Sequence, residues 1–214
     1  MVNIEQMFVN AWTPVATLLV FLALAGWGMT IARCLRFRYL PDPGLSAAFG
    51  LAFSVVLGGI LNRFGLISLT FGRVYLMLGV LLCLAAIFEH RQSFVAGIAR
   101  MIRNPFLLVG ILVIAYLVII MLFEAGVSNF NPHDDYYGYL VFPLKMLQTG
   151  SLGADPFNMR QLITSLRGDS FLLTLMLGVL DLNRLHCLEL GVGVLMGMTL
   201  VMGHILQRQS PAWM

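Results

Sequence analysis

The sequence predicts an all-α fold: a polytopic bundle of about six transmembrane helices, with one extracytoplasmic loop containing short membrane-surface helices. Three observations carry that expectation. Charged residues make up 11% of the 214-residue chain, where a soluble domain carries roughly 25%. The mean hydropathy is +0.89. Uncharged runs cover residues 6–32, 43–62, 74–88, 104–123, 170–180 and 190–207, and about 20 apolar residues suffice to cross the hydrocarbon core.

The first run starts close to the amino terminus. Residues 1–10 hold one acid, Glu5, and no base, so there is no n-region for a cleavable signal and the first span is expected to be retained. Arg33, Arg36 and Arg38 follow it directly. By the positive-inside rule the amino terminus is then outside, and Pro41-Asp42-Pro43-Gly44 is a cytoplasmic turn. The second run qualifies as it stands. The third reaches full length by setting Arg73 and Glu89 at the two interfaces, where long polar side chains meet water while their stems stay in lipid.

The fourth run, 104–123, qualifies without adjustment. The fifth lies between Asp169 and Asp181 and reads either as a span or as a short re-entrant helix, which lipid tolerates only where protein covers it. Six spans result, or five. The last run carries Gly193 and Gly197 at G-x-x-x-G spacing, which lets helices approach closely. With six spans, Arg91, Arg100, Arg103 and Arg184 fall inside, and Arg63, Arg73, Lys145, Arg160, Arg167 and Arg208 fall outside. The arginine clusters after spans one and three carry this orientation.

A net charge of +3 raises the question of nucleic acid, but the bases are spread thinly between spans and form no basic face. The three cysteines, Cys34, Cys83 and Cys187, lack CxxC spacing and lie in or beside apolar runs. They read as buried small hydrophobes. Residues 1–104 form three N-terminal spans of unassigned role, and residues 105–214 form a second unit of one span, the long loop and two further membrane helices.

That loop runs from Glu124 to Asp169 and holds half of all the acids: Glu124, Asp134, Asp135, Asp155 and Asp169. A connection of this length in a compact protein is usually functional or disordered, and this one is aromatic and apolar enough to be ordered. Beyond Tyr136 the residues Leu140, Leu144 and Leu147 recur at helical spacing, interrupted by Pro143 and stopped at Thr149-Gly150. Two short helices, or one kinked at the proline, are expected along the membrane surface, with the apolar side in the headgroup boundary.

Asp134 and Asp135 fall at or just before that helix. One of them suffices as an N-cap, which leaves a surplus carboxylate. Adjacent carboxylates raise the pKa of one member and make it a better proton acceptor. Two uses follow: a general base facing a hydroxyl acceptor, or a divalent ion held by Asp134, Asp135 and His133. Arg160 and Arg167 return toward headgroup depth, where a guanidinium forks onto phosphate, either of a specific substrate or of ordinary lipid.

The run His133-Asp134-Asp135-Tyr136-Tyr137, followed by Met146-Leu147-Gln148-Thr149-Gly150 and Asp155-Pro156-Phe157, resembles the first extracytoplasmic loop of GT-C superfamily glycosyltransferases of the protein-mannosyltransferase and aminoarabinose-transferase type. The resemblance covers roughly residues 105–182 and implies sugar transfer from a polyprenyl-phosphate donor to a hydroxyl or amine on the outer side, generally with inversion. Asp134 then matches the catalytic base and Asp135 the second acid. Arg160, Arg167 or Lys145 would meet the leaving phosphate, and His133, Tyr136 and Tyr137 would line the substrate site. The implied setting is a bacterial inner membrane. Family members place this loop after their first span and carry more spans than this chain. It is therefore expected to be the N-terminal portion of such an enzyme or one half of a complex. The alternative is a non-catalytic polytopic protein, a transporter or scaffold subunit whose loop binds a partner.

Overall fold

A computed structural model describes residues 4–37, 42–92, 95, 99, 105–124, 140–153, 168–180 and 185–208. Among the described residues the fold is all-helical: α1 (Ile4–Cys34), α2 (Pro43–Phe64), α3 (Leu69–Glu89), α4 (Pro105–Glu124), α5 (Val141–Thr149), α6 (Gly168–Leu177) and α7 (Leu185–Arg208). Among the described residues three stretches are long and apolar enough to cross a membrane: Trp12–Cys34, Pro43–Phe64 and Leu69–Glu89.

Local chemistry sets the helix ends. Asp42 caps α2, its Oδ1 accepting from the backbone N–H of Gly44 and Leu45, both at 3.0 Å. Pro43 follows in the first turn, where a missing N–H is harmless. Gly65, at φ 68°, ends α2 in the left-handed conformation. Ser68 then caps α3 by accepting from Phe71 N–H at 3.1 Å. The third span thus begins at Leu69, a full turn before Arg73.

Glycine brings the first three helices together. A Cβ on Gly26 of α1 would run into the Gly79 backbone of α3, and one on Gly28 into the Ser46 backbone of α2. The helix backbones are therefore in direct contact, the close approach that small residues permit where no hydrophobic force acts between helices. Trp27 fills the remaining space, stacked on Tyr75 at 4.8 Å and donating its indole N–H to the Tyr75 carbonyl at 3.1 Å. Tyr75 in turn pairs its hydroxyl with Ser54 Oγ at 2.7 Å, so this buried polar side chain is satisfied.

Two ends of the bundle can be told apart. At one, here the arginine end, Arg33 meets Glu89 at 2.6 Å and ties α1 to α3, with Asp42 and Arg36 nearby in sequence. At the other lie Trp12 and the α2–α3 turn, and against that turn are fastened residues 150–152: Ile67 N–H donates to the Gly150 carbonyl at 3.0 Å and Leu152 N–H to Asn62 Oδ1 at 2.8 Å. This is the loop end.

Helix α6 corrects the threading of the chain. Its 10 described residues rise about 15 Å. Phe171 packs on Gly58, and Leu175 on Gly72. Arg73 Nε donates to the Gly178 carbonyl at 3.1 Å, and Trp12 Nε1 to the Val179 carbonyl at 2.8 Å. All these partners lie in the loop-end half of the bundle, so residues 171–179 stay in that half. Of the two expectations for this run, the described residues fit the short helix covered by protein.

Helix α7 consequently runs the opposite way to a six-span thread. Gly191 and Val194 stand beside Pro14 and Leu18 in the loop-end half of α1. Farther along, Met196 and Thr199 pack on Gly44, and Gly203 lies against Asp42 at the arginine end. Helix α4 packs on α7 and α1, and the buried core among the described residues is drawn from α1–α3, the α2–α3 turn, α5, α6 and α7. The G-x-x-x-G spacing finds no close partner among the described residues, since a Cβ on Gly193 or Gly197 would meet nothing within 4 Å. Cys83 is buried, as expected. Cys34 is exposed, because it closes α1 where the helix leaves the bundle.

Candidate functional site

The candidate site is built on the loop end. Its best-defined part is α5, which follows the acidic segment directly. Leu140 precedes its first turn and is 1% exposed, and Phe142, Pro143 and Met146 are buried with it. Pro143 stands in the first turn of α5, where no intrahelical N–H is called for. Gly150, at φ 81°, closes it in the left-handed conformation, as the Thr149-Gly150 signal predicts.

Leu144 is 37% exposed and Leu147 half-buried, while Phe142, Pro143 and Met146 turn inward. The reason is the partner. Helix α5 packs against α6, and Leu140, Phe142, Met146 and Leu152 join one core with Phe171 and Leu175. The spacing identified a helix but could not say which neighbour would cover it.

Lys145 lies on the flank of α5, half-buried, with its carbonyl accepting from Thr149 Oγ at 2.9 Å. His133, Asp134, Asp135, Tyr136, Tyr137, Arg160 and Arg167 lie outside the described residues, as do the proposed divalent-ion ligands among them. No group of three or more His, Cys, Asp or Glu suited to a metal occurs among the described residues. Covalent geometry still bounds one distance. Asp135 precedes the buried Leu140 by five residues, and five extended residues reach at most about 17 Å.

Sequence reasoning missed the residues that fasten this end: Trp12, Asn62 and Arg73. Each carried a signal, since aromatic and basic residues gather where spans meet the interface, and Asn62 ends an apolar run. What no pattern could give was their partners, which lie 90 to 167 positions away.

In the described membrane-crossing stretches the buried polar side chains are Thr13, Thr17, Ser46 and Ser54, all uncharged. A carrier typically sets ionisable groups at that depth. The chain matches no family model, no curated protein and no solved structure.

Proposed function

We propose that this chain is a membrane glycosyltransferase, or an N-terminal fragment of one, acting on the extracytoplasmic face of a bacterial inner membrane. The observation that carries the proposal is the cluster His133-Asp134-Asp135-Tyr136-Tyr137 on a segment whose downstream end, Leu140 and α5, is packed into the bundle end opposite Arg33 and Arg36. By the positive-inside rule the arginine end is cytoplasmic, and the acidic segment is then extracytoplasmic. Five spans, α1 to α4 and α7, accompany this reading, with α6 re-entrant.

In the proposed reaction Asp134 takes the proton of the acceptor hydroxyl as its oxygen attacks the anomeric carbon of a polyprenyl-phosphate-linked sugar. The bond from that carbon to the phosphate oxygen breaks through an oxocarbenium-like transition state, and the lipid phosphate leaves as an anion. Arg160, Arg167 or Lys145 stabilises that charge. Asp135 orients the acceptor or shares a divalent ion with Asp134 and His133, and Tyr136 and Tyr137 flank the sugar. The uncharged interior of the described spans favours this surface chemistry over transport.

The test is sugar transfer from polyprenyl-phosphate donors by the longest form of the protein, with Asp134→Asn and Asp135→Asn made singly and folding checked by monodispersity. Loss of a general base lowers turnover by about 10²- to 10⁴-fold. Retention of wild-type turnover by both variants would overturn the assignment.

A further inference from the structure

From the hydrogen bonds at the end of α6 we infer that Trp12 and Arg73 are positioning residues for the acidic loop, an inference that rests on the glycosyltransferase reading for its catalytic consequence. The last carbonyls of a helix lack intrahelical partners. Here the two beyond α6 are taken by side chains from other helices: Gly178 O accepts from Arg73 Nε of α3 at 3.1 Å, and Val179 O from Trp12 Nε1 of α1 at 2.8 Å. A cation at a helix C-terminus also meets the negative end of the helix dipole.

From this clasp a continuous packed path leads to the loop. Helix α6 seats Phe171, fully buried, on Gly58 and against Tyr75 at 6.1 Å between ring centroids. Helix α5 lies on α6, and its leading residue, Leu140, stands five positions from Asp135. The three N-terminal helices, which carry no recognised motif, thereby acquire a role: they hold α6, α6 holds α5, and α5 sets where the acidic segment re-enters the bundle. Trp12 and Arg73 are the two polar contacts by which α1 and α3 grip the far end of that path.

Hydrogen exchange of the purified full chain in lipid nanodiscs, combined with steady-state transfer kinetics, tests the inference. Arg73→Ala is expected to speed exchange of residues 140–153 and 168–180 about tenfold, the effect of losing one charge-assisted hydrogen bond. Trp12→Phe, which keeps a ring in place and removes only the N–H, should speed it about threefold. Exchange in α2 and in the arginine-end half of α7 stays unchanged. In transfer assays the donor KM rises as kcat falls, whereas a smaller folded fraction lowers kcat alone. If Arg73→Ala does not fold, Trp12→Phe carries the test by itself. Unchanged exchange in the folded variants overturns the clasp, whatever their turnover. Faster exchange in a protein whose wild type transfers no sugar upholds the clasp and overturns the enzymatic reading.

Discussion

Replacing Gly79 by alanine tests the packing of the bundle. A Cβ at this position would stand 2.5 Å from the Ala23 carbonyl oxygen and 2.9 Å from Trp27 Cδ1, where ordinary contact begins at 3.4 Å. The first neighbour is backbone and has no rotamer to change, so α3 must retreat from α1 by close to an ångström. That retreat loosens the Trp27–Tyr75 stack and the 3.1 Å indole bond behind it. Overpacking of this kind costs about 1–3 kcal/mol. Alanine recovers about 1 kcal/mol through its better helix propensity. A backbone neighbour puts the overpacking cost at the upper end, about 2–3 kcal/mol, so the net loss is about 1–2 kcal/mol, a fall of about 5 °C in melting temperature for a chain of this size. Gly193→Ala and Gly197→Ala are the controls, because nothing lies within 4 Å of either Cβ. They keep the propensity gain and should melt at or slightly above wild type. Gly110→Ala falls between, since its near neighbour at 2.9 Å is the terminal methyl of Met202, which can swing aside. Thermal unfolding in detergent, followed by size-exclusion chromatography, reads all four. Wild-type stability in Gly79→Ala, or an equal loss in Gly193→Ala, would refute the direct helix contact.

Three further outcomes are expected. Phe171→Ala empties a fully buried site between Gly58, Phe71 and Tyr75 and should lower stability by about 3–5 kcal/mol in the same unfolding assay. In a Cys34→Ser background, Arg184→Cys should react with a membrane-impermeant maleimide from the same side as the acidic loop and Arg208→Cys from the opposite side, since α6 does not cross; the reverse labelling would restore six spans. Glu89→Gln removes an ion pair whose side chains are 40% and 59% exposed, so it should cost under about 1 kcal/mol, and less in high salt.

Much was decided by the sequence alone, because the bilayer admits few solutions. Backbone groups in lipid must bond within their own segment, so an uncharged run such as 43–62 becomes a helix regardless of its neighbours, and α2 begins at its Pro43. Capping is equally local: Asp42 and Gly150 sit in the chain beside the groups they serve or terminate. The acidic pair and its tyrosines are visible as a pattern too, and the catalytic assignment rests on that pattern.

Tertiary structure decided what depends on distant partners. Eleven uncharged residues between two aspartates are compatible with a span or a re-entrant turn. The choice was made by Arg73, Trp12 and Gly58, which hold α6 at one end, and it reversed the direction of α7. The same holds for α5, whose spacing announced a helix while α6 selected the face to bury. Gly193 and Gly197 show the converse, a packing spacing that finds no partner among the described residues. A membrane fixes which segments are helical through local hydrogen-bond satisfaction, but depth, direction and facing follow from contacts between residues far apart in the chain.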